Sequence, residues 1–464
     1  MANGTTAPAG TEQALGVAPV PYRTVRSVFA YLALLIGLLP PSAHTELFGA
    51  PLVLVAVLAG WRDLRRVSRV LLLLVGASGL AAWHWAPQLL GNAAASTTHL
   101  TALVVAVMLL SATLGTSRDL GVLSGSLFAG RSLPRYLGIS FATGFLAVPL
   151  NFGSVGVMGT VVARVKQLRG DSSLTRNAAR AVLRGFALSS ICSPLSISVV
   201  ITLTFLPSLG LHQLIAVSLP FACLYLLLGS VFREPEVLPA SDGPVLADAV
   251  ARAPAMLPWL RFTAYIAAIC LGAWVLSSFA QMRYSRAVAL SCAGAVALGW
   301  LLKRLRGEPE GLPSMAQVSN ELVVMCGSAF LGVLAGGAGL YLLGLDFGLP
   351  LWAGPLVAFG VPWLLFLAGM AGLNPIVTGT LIGAMLAPIW PPSALLGLGF
   401  GMVSGWGLTV AGTPYSANSM LLSRITGYDA HTAALQWNLR LSLCSLCLAG
   451  LLAAGLTYGL TAAP

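Results

Sequence analysis

The chain has 464 residues, of which 57% are hydrophobic and only 8% are charged. Soluble domains carry about 25% charged residues, so this composition excludes an ordinary soluble protein and indicates an all-α protein that crosses a lipid bilayer many times. The formal net charge of +11 does not indicate nucleic-acid binding, because the basic residues lie in short loops without interleaved aromatic residues. That distribution is the positive-inside bias of a multi-pass membrane protein.

Residues 1–25 are small and nearly uncharged, and we predict a disordered cytoplasmic tail. The apolar stretch 28–39 that follows is either a first membrane span or a signal segment. From there on, apolar stretches of suitable length predict about eleven transmembrane helices. The predicted spans are 26–40, 47–61, 69–86, 99–114, 176–206, 212–232, 259–279, 286–303, 321–344, 391–423 and 432–461.

Two further apolar stretches, 136–164 and 350–389, are predicted to be re-entrant hairpins. The first has basic loops at both ends, whereas the second is bounded by "LDFGLP" and "PIWPP", which contain no basic residue. Because both ends of each stretch have the same character, each is expected to enter and leave on one membrane face. Each is interrupted by an asparagine, Asn151 in "LNFGSVGVMGT" and Asn374 in "LNPIVTGT".

Two of the predicted spans contain a similar interruption. "SPLSIS" (193–198) and "TPYSAN" (413–418) both fit the pattern Ser/Thr-Pro-x-Ser-x-Ser/Asn. Proline has no N–H and breaks a helix, and the freed backbone groups cannot remain unpaired in hydrocarbon. Asparagine, serine and threonine beside such a break can pair these groups or coordinate a ligand. Broken helices of this kind therefore indicate a buried binding site.

The order of hairpin and then broken span occurs twice, which predicts two inverted-topology repeats. The first repeat is 26–232, a cytoplasmic linker covers 233–258, and the second repeat is 259–464. Broken helices in inverted repeats are typical of secondary transporters. We therefore predict a transporter and not an enzyme, without a cofactor, that moves a small organic or inorganic anion coupled to Na⁺ or H⁺.

Other interpretations stay open at this point. A Na⁺/H⁺ or other cation antiporter would share the architecture, although no Asp or Glu lies within the core of a predicted span. A polytopic membrane enzyme acting on a lipid-linked substrate is a second alternative. Asn151 and Asn374, at the expected tips of the two hairpins, either cap half-helices or bind a ligand. Arg440 either extends to the membrane surface or gates an anion path.

These paired features resemble the ion transporter superfamily, and most closely its divalent anion/sodium symporters. The resemblance implies an elevator-like homodimer in a bacterial inner membrane, with the N-terminus cytoplasmic and the C-terminus periplasmic. It also implies substrate and ion sites at the tips and breaks, formed by Asn151, Ser193, Pro194, Ser196, Ser198, Asn374, Thr413, Pro414, Ser416 and Asn418. Na⁺ would be held by Asn151, Ser198, Asn374, Asn418 and nearby backbone carbonyls.

The tips differ from those of the symporters. Where the family has Ser-Asn-Thr, this chain has Leu-Asn-Phe (150–152) and Leu-Asn-Pro (373–375). Ser154 and Thr378 lie about one turn later and are the nearest hydroxyls that could replace the missing ones. We include both among the candidate binding residues.

Overall fold

In a computed structural model of the protein, the described residues are 20–40, 43–115, 131–236, 256–307, 311–315, 318–343, 349–350 and 352–462. They form helices and, within these ranges, no strand. Most of the predicted tail 1–25 and of the predicted linker 233–258 lies outside the described residues. The first helix begins at Val20 rather than at residue 26, so Arg23 and Arg26 are both helical.

The first half of the chain contains nine helices within the described ranges. They are α1 Val20–Leu38, α2 Ala43–Leu58, α3 Arg66–Trp85, α4 Pro87–Gly115, α5 Ser132–Leu150, α6 Phe152–Arg169, α7 Ser173–Cys192, α8 Ile197–Phe205 and α9 Leu211–Val231. The second half contains α10 Met256–Ser278, α11 Tyr284–Leu305, α12 Ser319–Leu343, α13 Ala353–Met370, α14 Pro375–Leu386, α15 Leu395–Gly412, α16 Ala417–Thr426 and α17 Leu439–Ala462. A π-helical segment, Thr432–Asn438, leads directly into α17.

Eleven of the described helices or broken helices are long and apolar enough to cross a membrane, so the protein is an all-α, multi-pass membrane protein. The number of spans agrees with the sequence prediction, but the set of helices that form them differs. Ser132–Leu150 and Ala353–Met370, which were predicted to be hairpin arms, are among the eleven, whereas the stretches 26–40 and 47–61 are not. In the second of these stretches the apolar helix is short, Phe48–Leu58.

The helices pack in two groups. The first group surrounds α4 and α12, with α1, α2, α3 and α11 packed against them and α10 against α11. The second group contains α5 to α9 and α13 to α17, in which α7 packs against α15, and α14 of this group also packs closely against α12 of the first. The broken helix that contains α15 is the most buried of the eleven candidate spans, with 94% of its apolar window buried. The broken helix that contains α7 and the long α4 follow, each with 78% of the window buried, so both interrupted helices are among the most buried spans.

Local sequence explains where these helices begin and end. Ser172 caps the start of α7 in a capping box with Thr175, so the basic stretch 163–184 is helical on both sides of a short turn. Gly427 ends α16 with φ 70°, a left-handed conformation that glycine adopts without strain. A Cβ at Gly407 of α15 would clash with Ile191 of α7, so glycine is needed for the close packing of the two central helices.

Candidate functional site

The first interruption, Ser193–Ser196, separates α7 from α8 and is called the first break. Because Pro194 has no N–H, the carbonyl of Ser190, four residues earlier, loses its helical donor. The Ser198 hydroxyl donates to that carbonyl instead. Tyr284, at the start of α11, donates its hydroxyl to the carbonyl of Pro194 at 2.7 Å. The first break is thus held by a hydrogen bond within its own broken helix and by one from α11 of the first group of helices.

The second interruption, Thr413–Ser416, separates α15 from α16 and is called the second break. Pro414 deprives the carbonyl of Val410 of its helical donor, and the Ser416 hydroxyl donates to this carbonyl at 2.9 Å. A serine hydroxyl therefore repairs the same defect at both breaks. In a membrane interior such repair is needed, because an unpaired carbonyl costs several kcal/mol.

The two breaks also end alike. Ser196 (φ −70°, ψ 142°) and Ser416 (φ −64°, ψ 144°) have nearly the same extended backbone. Each is the N-cap of the following short helix, since the Ser196 hydroxyl accepts from the Val199 N–H at 3.3 Å and the Ser416 hydroxyl from the Ser419 N–H at 3.1 Å. This shared capping geometry explains why a serine stands at the fourth position of both sequence patterns.

The remaining predicted hydroxyls at the breaks are engaged locally. Thr413 donates to the carbonyl of Thr409 at 2.8 Å, a common back-bond of threonine in helices. The Ser193 hydroxyl accepts from the N–H of Leu195 at 3.3 Å. Ser193 and Thr413 therefore have structural roles here, and both are buried.

The tip between α5 and α6 is strained. Asn151 has φ 48° and ψ −126°, a conformation that few residues other than glycine adopt. Its carboxamide does not cap α6. Its carbonyl accepts from both the N–H and the hydroxyl of Ser154, at 3.1 and 2.8 Å. Ser111 of α4, which sequence reasoning missed, donates to the carbonyl of Leu150 at 2.8 Å and holds the tip in place.

The tip between α13 and α14 is built differently. Asn374 has an ordinary extended backbone, with φ −71° and ψ 132°, and its Oδ1 accepts from the Ile376 N–H at 2.9 Å. The capping interpretation is therefore correct for Asn374 and incorrect for Asn151. Thr378, one turn into α14, is buried, and its hydroxyl has no partner among the described residues.

Asn418 is the predicted residue with the clearest unused binding capacity. Its side chain is 0% exposed, and neither Oδ1 nor Nδ2 has a partner within the described part of the chain. Buried polar groups are nearly always hydrogen-bonded, so a buried amide with both ends unpaired is expected to bind a ligand, an ion or water. An amide offers both a donor and an acceptor, which suits an anion through nitrogen or a cation through oxygen.

The twelve predicted residues thus occupy four places, two tips and two breaks. Hydrogen bonds join predicted residues within a place, as between Ser196 and Ser198 at 3.0 Å. Within the described ranges, no hydrogen bond joins two of these places directly. Of the four side chains predicted to hold Na⁺, Ser198 and Asn374 already use their oxygen atoms in hydrogen bonds, whereas Asn418 does not.

Sequence reasoning also missed a wholly buried arginine in α7, Arg184. Its five N–H groups donate to neutral oxygens of three other segments, α5, the end of α9 and the π-helical segment. The acceptors are Asn438 Oδ1, Tyr136 Oη and the carbonyls of Gly229, Phe232 and Trp437. A detectable signal existed, because Arg176, Arg180 and Arg184 recur every four residues and so share one helix face.

A charged cluster lies next to Arg184 where α9 ends. Arg176 and Arg180 bind the Glu234 carboxylate at 2.8 and 2.5 Å, and Arg135 binds Glu236. Burial disfavours the ionised form of Glu234, but hydrogen bonds from Arg176 and the charge of Arg180 outweigh it and lower the pKa of Glu234. The cluster attaches the residues after α9 to the starts of α5 and α7.

An apolar cavity of about 560 Å³ reaches the first break. It lies between one face of α5, the last turn of α7 and Trp259 of α10, and Ser193 and Pro194 form part of its wall. The cavity separates the two groups of helices at this point.

No known family model matches this sequence, and no curated protein is significantly similar to it.

Proposed function

We propose that the protein is a secondary active transporter that moves a small organic or inorganic anion together with Na⁺ or H⁺. The observation that carries this proposal is the buried amide of Asn418, which has no partner among the described residues and lies in the first turn of the short helix after a proline break. Broken helices with polar groups at the membrane midplane are the usual ligand sites of such carriers.

The packing of the helices supports two inverted repeats. If α5 to α9 correspond to α13 to α17, the main contacts within each half have counterparts: α5 with α7 and α13 with α15, α7 with α9 and α15 with α17. The same correspondence holds for contacts between the two halves. The contact of α6 with α16 has its counterpart in the contact of α14 with α8. Contacts that are exchanged in this way are expected for two halves related by a pseudo-two-fold axis.

The short α14 supports a re-entrant hairpin in the second repeat. Its 12 residues extend for about 18 Å, which is less than the hydrocarbon thickness of about 30 Å. The helix ends in a 3₁₀ turn before "WPP" and does not continue into a span. An elevator-like displacement of the group containing the breaks, within a homodimer, is part of the same proposal.

A cation antiporter is the second candidate, and one observation favours it. Glu321, in the first turn of α12, has a buried Oε2 without a partner among the described residues. Carboxylates are common proton carriers in membrane proteins, and Glu321 lies at the first residue of the predicted span 321–344 rather than in its core. Glu321 belongs to α12, which packs against α14 of the group that contains the breaks, so proton coupling through it would act through that helix contact.

Thermal unfolding of the purified protein in detergent tests these functions. Succinate, citrate, sulfate, lactate and arsenite are each added in sodium chloride or in choline chloride at equal ionic strength. A ligand at one hundred times its Kd adds about 2.7 kcal/mol of stability. Stabilisation by one anion only when sodium is present supports the symporter. A response to sodium or pH alone, with none to any anion, supports the antiporter, and Glu321→Gln should then abolish the pH response.

The variant Asn418→Leu tests the site. It removes an unpaired amide, so the ligand-free protein should be at least as stable as wild type, while the response to sodium and anion should disappear. Ser218→Ala is the matched control, since Ser218 of α9 also has a buried hydroxyl without a partner in the described chain. An unchanged ligand response in Asn418→Leu would refute the role of Asn418.

A further inference from the structure

The last turn of α15 is held by three different donors. The carbonyl of Thr409 accepts from Thr413, and that of Val410 from Ser416, so both are paired within the second break. The carbonyl of Ala411 is paired from outside, because Asn438 Nδ2 donates to it at 3.1 Å. Asn438 lies at the end of the π-helical segment, and its side chain is 0% exposed.

The orientation of the Asn438 amide is fixed by Arg184. A guanidinium group can only donate, so the atom of Asn438 that faces Arg184 Nε at 2.8 Å must be the oxygen. The nitrogen then points to Ala411. Because Arg184 belongs to α7, a residue of the first broken helix determines how the second broken helix is held at its end.

We propose that Arg184, acting through Asn438, is a positioning residue for the second break. It holds the carbonyl of Ala411, and with it the turn that leads into Thr413 and Pro414, in the conformation from which Asn418 is presented. The consequence for ligand binding rests on the proposed function, whereas the positioning itself does not. The first break is held differently, through the bond from Tyr284 to the carbonyl of Pro194.

A purely structural role for Arg184 would consist of satisfying a buried charge. The two roles are separated by Asn438→Asp. An aspartate keeps an acceptor for Arg184 and adds a neutralising charge, but it cannot donate to Ala411 while it is ionised. The structural role predicts a protein that is as ordered as wild type or more so. The positioning role predicts loosening of the second break alone.

Hydrogen–deuterium exchange with mass spectrometry, on the ligand-free full chain in detergent, distinguishes these outcomes. We expect about fivefold faster exchange in peptides covering 409–418, the effect of losing one typical hydrogen bond, and no change in peptides covering 189–198. Ser445→Ala, about two turns further along the chain in α17, is the control and should leave both regions unchanged, since the buried Ser445 hydroxyl has no partner among the described residues. Thermal unfolding should show that Asn438→Asp is folded.

Unchanged exchange in 409–418 would overturn the proposal, and so would an equal increase at both breaks, which would indicate general loosening. The sodium and anion response is then measured on the same variant. A loosened second break together with a normal ligand response would contradict the proposed site at Asn418 and leave the positioning role intact. A loosened break with a weakened response supports both.

Discussion

Arg184 Nε donates to Asn438 Oδ1 at 2.8 Å, and both side chains are fully buried. Within the described chain no carboxylate forms an ion pair with Arg184, and all five of its donors bind neutral oxygens. A buried charge without a counter-ion is costly, so its retention requires that every donor be satisfied. These hydrogen bonds connect α7 to α5, α9 and the π-helical segment. Arg184 is therefore a major polar connection within the second group of helices.

The first prediction concerns this connection. Arg184→Lys should lower the free energy of unfolding by about 2–4 kcal/mol, because an ammonium group has three donors and cannot reach all five acceptors. Thermal unfolding in detergent measures the change. Arg440→Lys is the matched control, since Arg440 lies two residues after Asn438 and is exposed. Equal stability of the two variants would show that the buried bonds contribute little.

The second prediction concerns Pro414. Pro414→Ala restores an N–H that can pair the Val410 carbonyl, so α15 can continue into α16. We expect a gain of up to about 3 kcal/mol in stability and the loss of any sodium-dependent response to anions. Pro220→Ala, a proline inside the uninterrupted α9, should leave that response intact. Retained ligand response in Pro414→Ala would show that the break is not needed for binding.

The third prediction concerns the two tip asparagines. At Asn151, where φ is 48°, glycine should stabilise the protein by about 1 kcal/mol and alanine should destabilise it by a similar amount. At Asn374, where φ is −71°, alanine should cost about 1 kcal/mol through loss of the cap, and glycine should bring no gain. Thermal unfolding of the four variants gives the comparison, and the same order at both positions would contradict the difference between the tips.

The fourth prediction concerns pH. The pKa of Glu234 is lowered in the folded protein, so its ion pairs add stability above the unfolded pKa of about 4.3 and lose it as the pH falls through the lowered value. Glu234→Gln should therefore melt earlier than wild type at pH 7, with a difference that shrinks below pH 4. The double variant with Arg176→Gln should show less than the sum of the two single effects at pH 7. A difference that does not depend on pH would contradict the ionic origin.

Several features of the fold could be predicted from sequence because they depend on local chemistry. Pro194 and Pro414 remove N–H groups wherever the chain places them, so both interruptions occur where the pattern indicates them. Composition alone indicates many apolar helices. Helix boundaries were less predictable: the span predicted at 176–206 begins earlier, at Ser173, because Ser172 forms a capping box with Thr175.

The use made of each candidate residue required the tertiary structure. Ser198 and Ser416 carry hydroxyls that could bind a ligand, yet these hydroxyls pair the carbonyls that the prolines leave without a donor. Asn418 is left unpaired because no neighbouring group in the described chain reaches it. The sequence by itself determined that helices would cross a membrane and where two would break, since backbone pairing in lipid is a local requirement. Only the tertiary structure decided which polar groups remain available, because that depends on partners brought together from distant segments, such as Arg184 and Asn438.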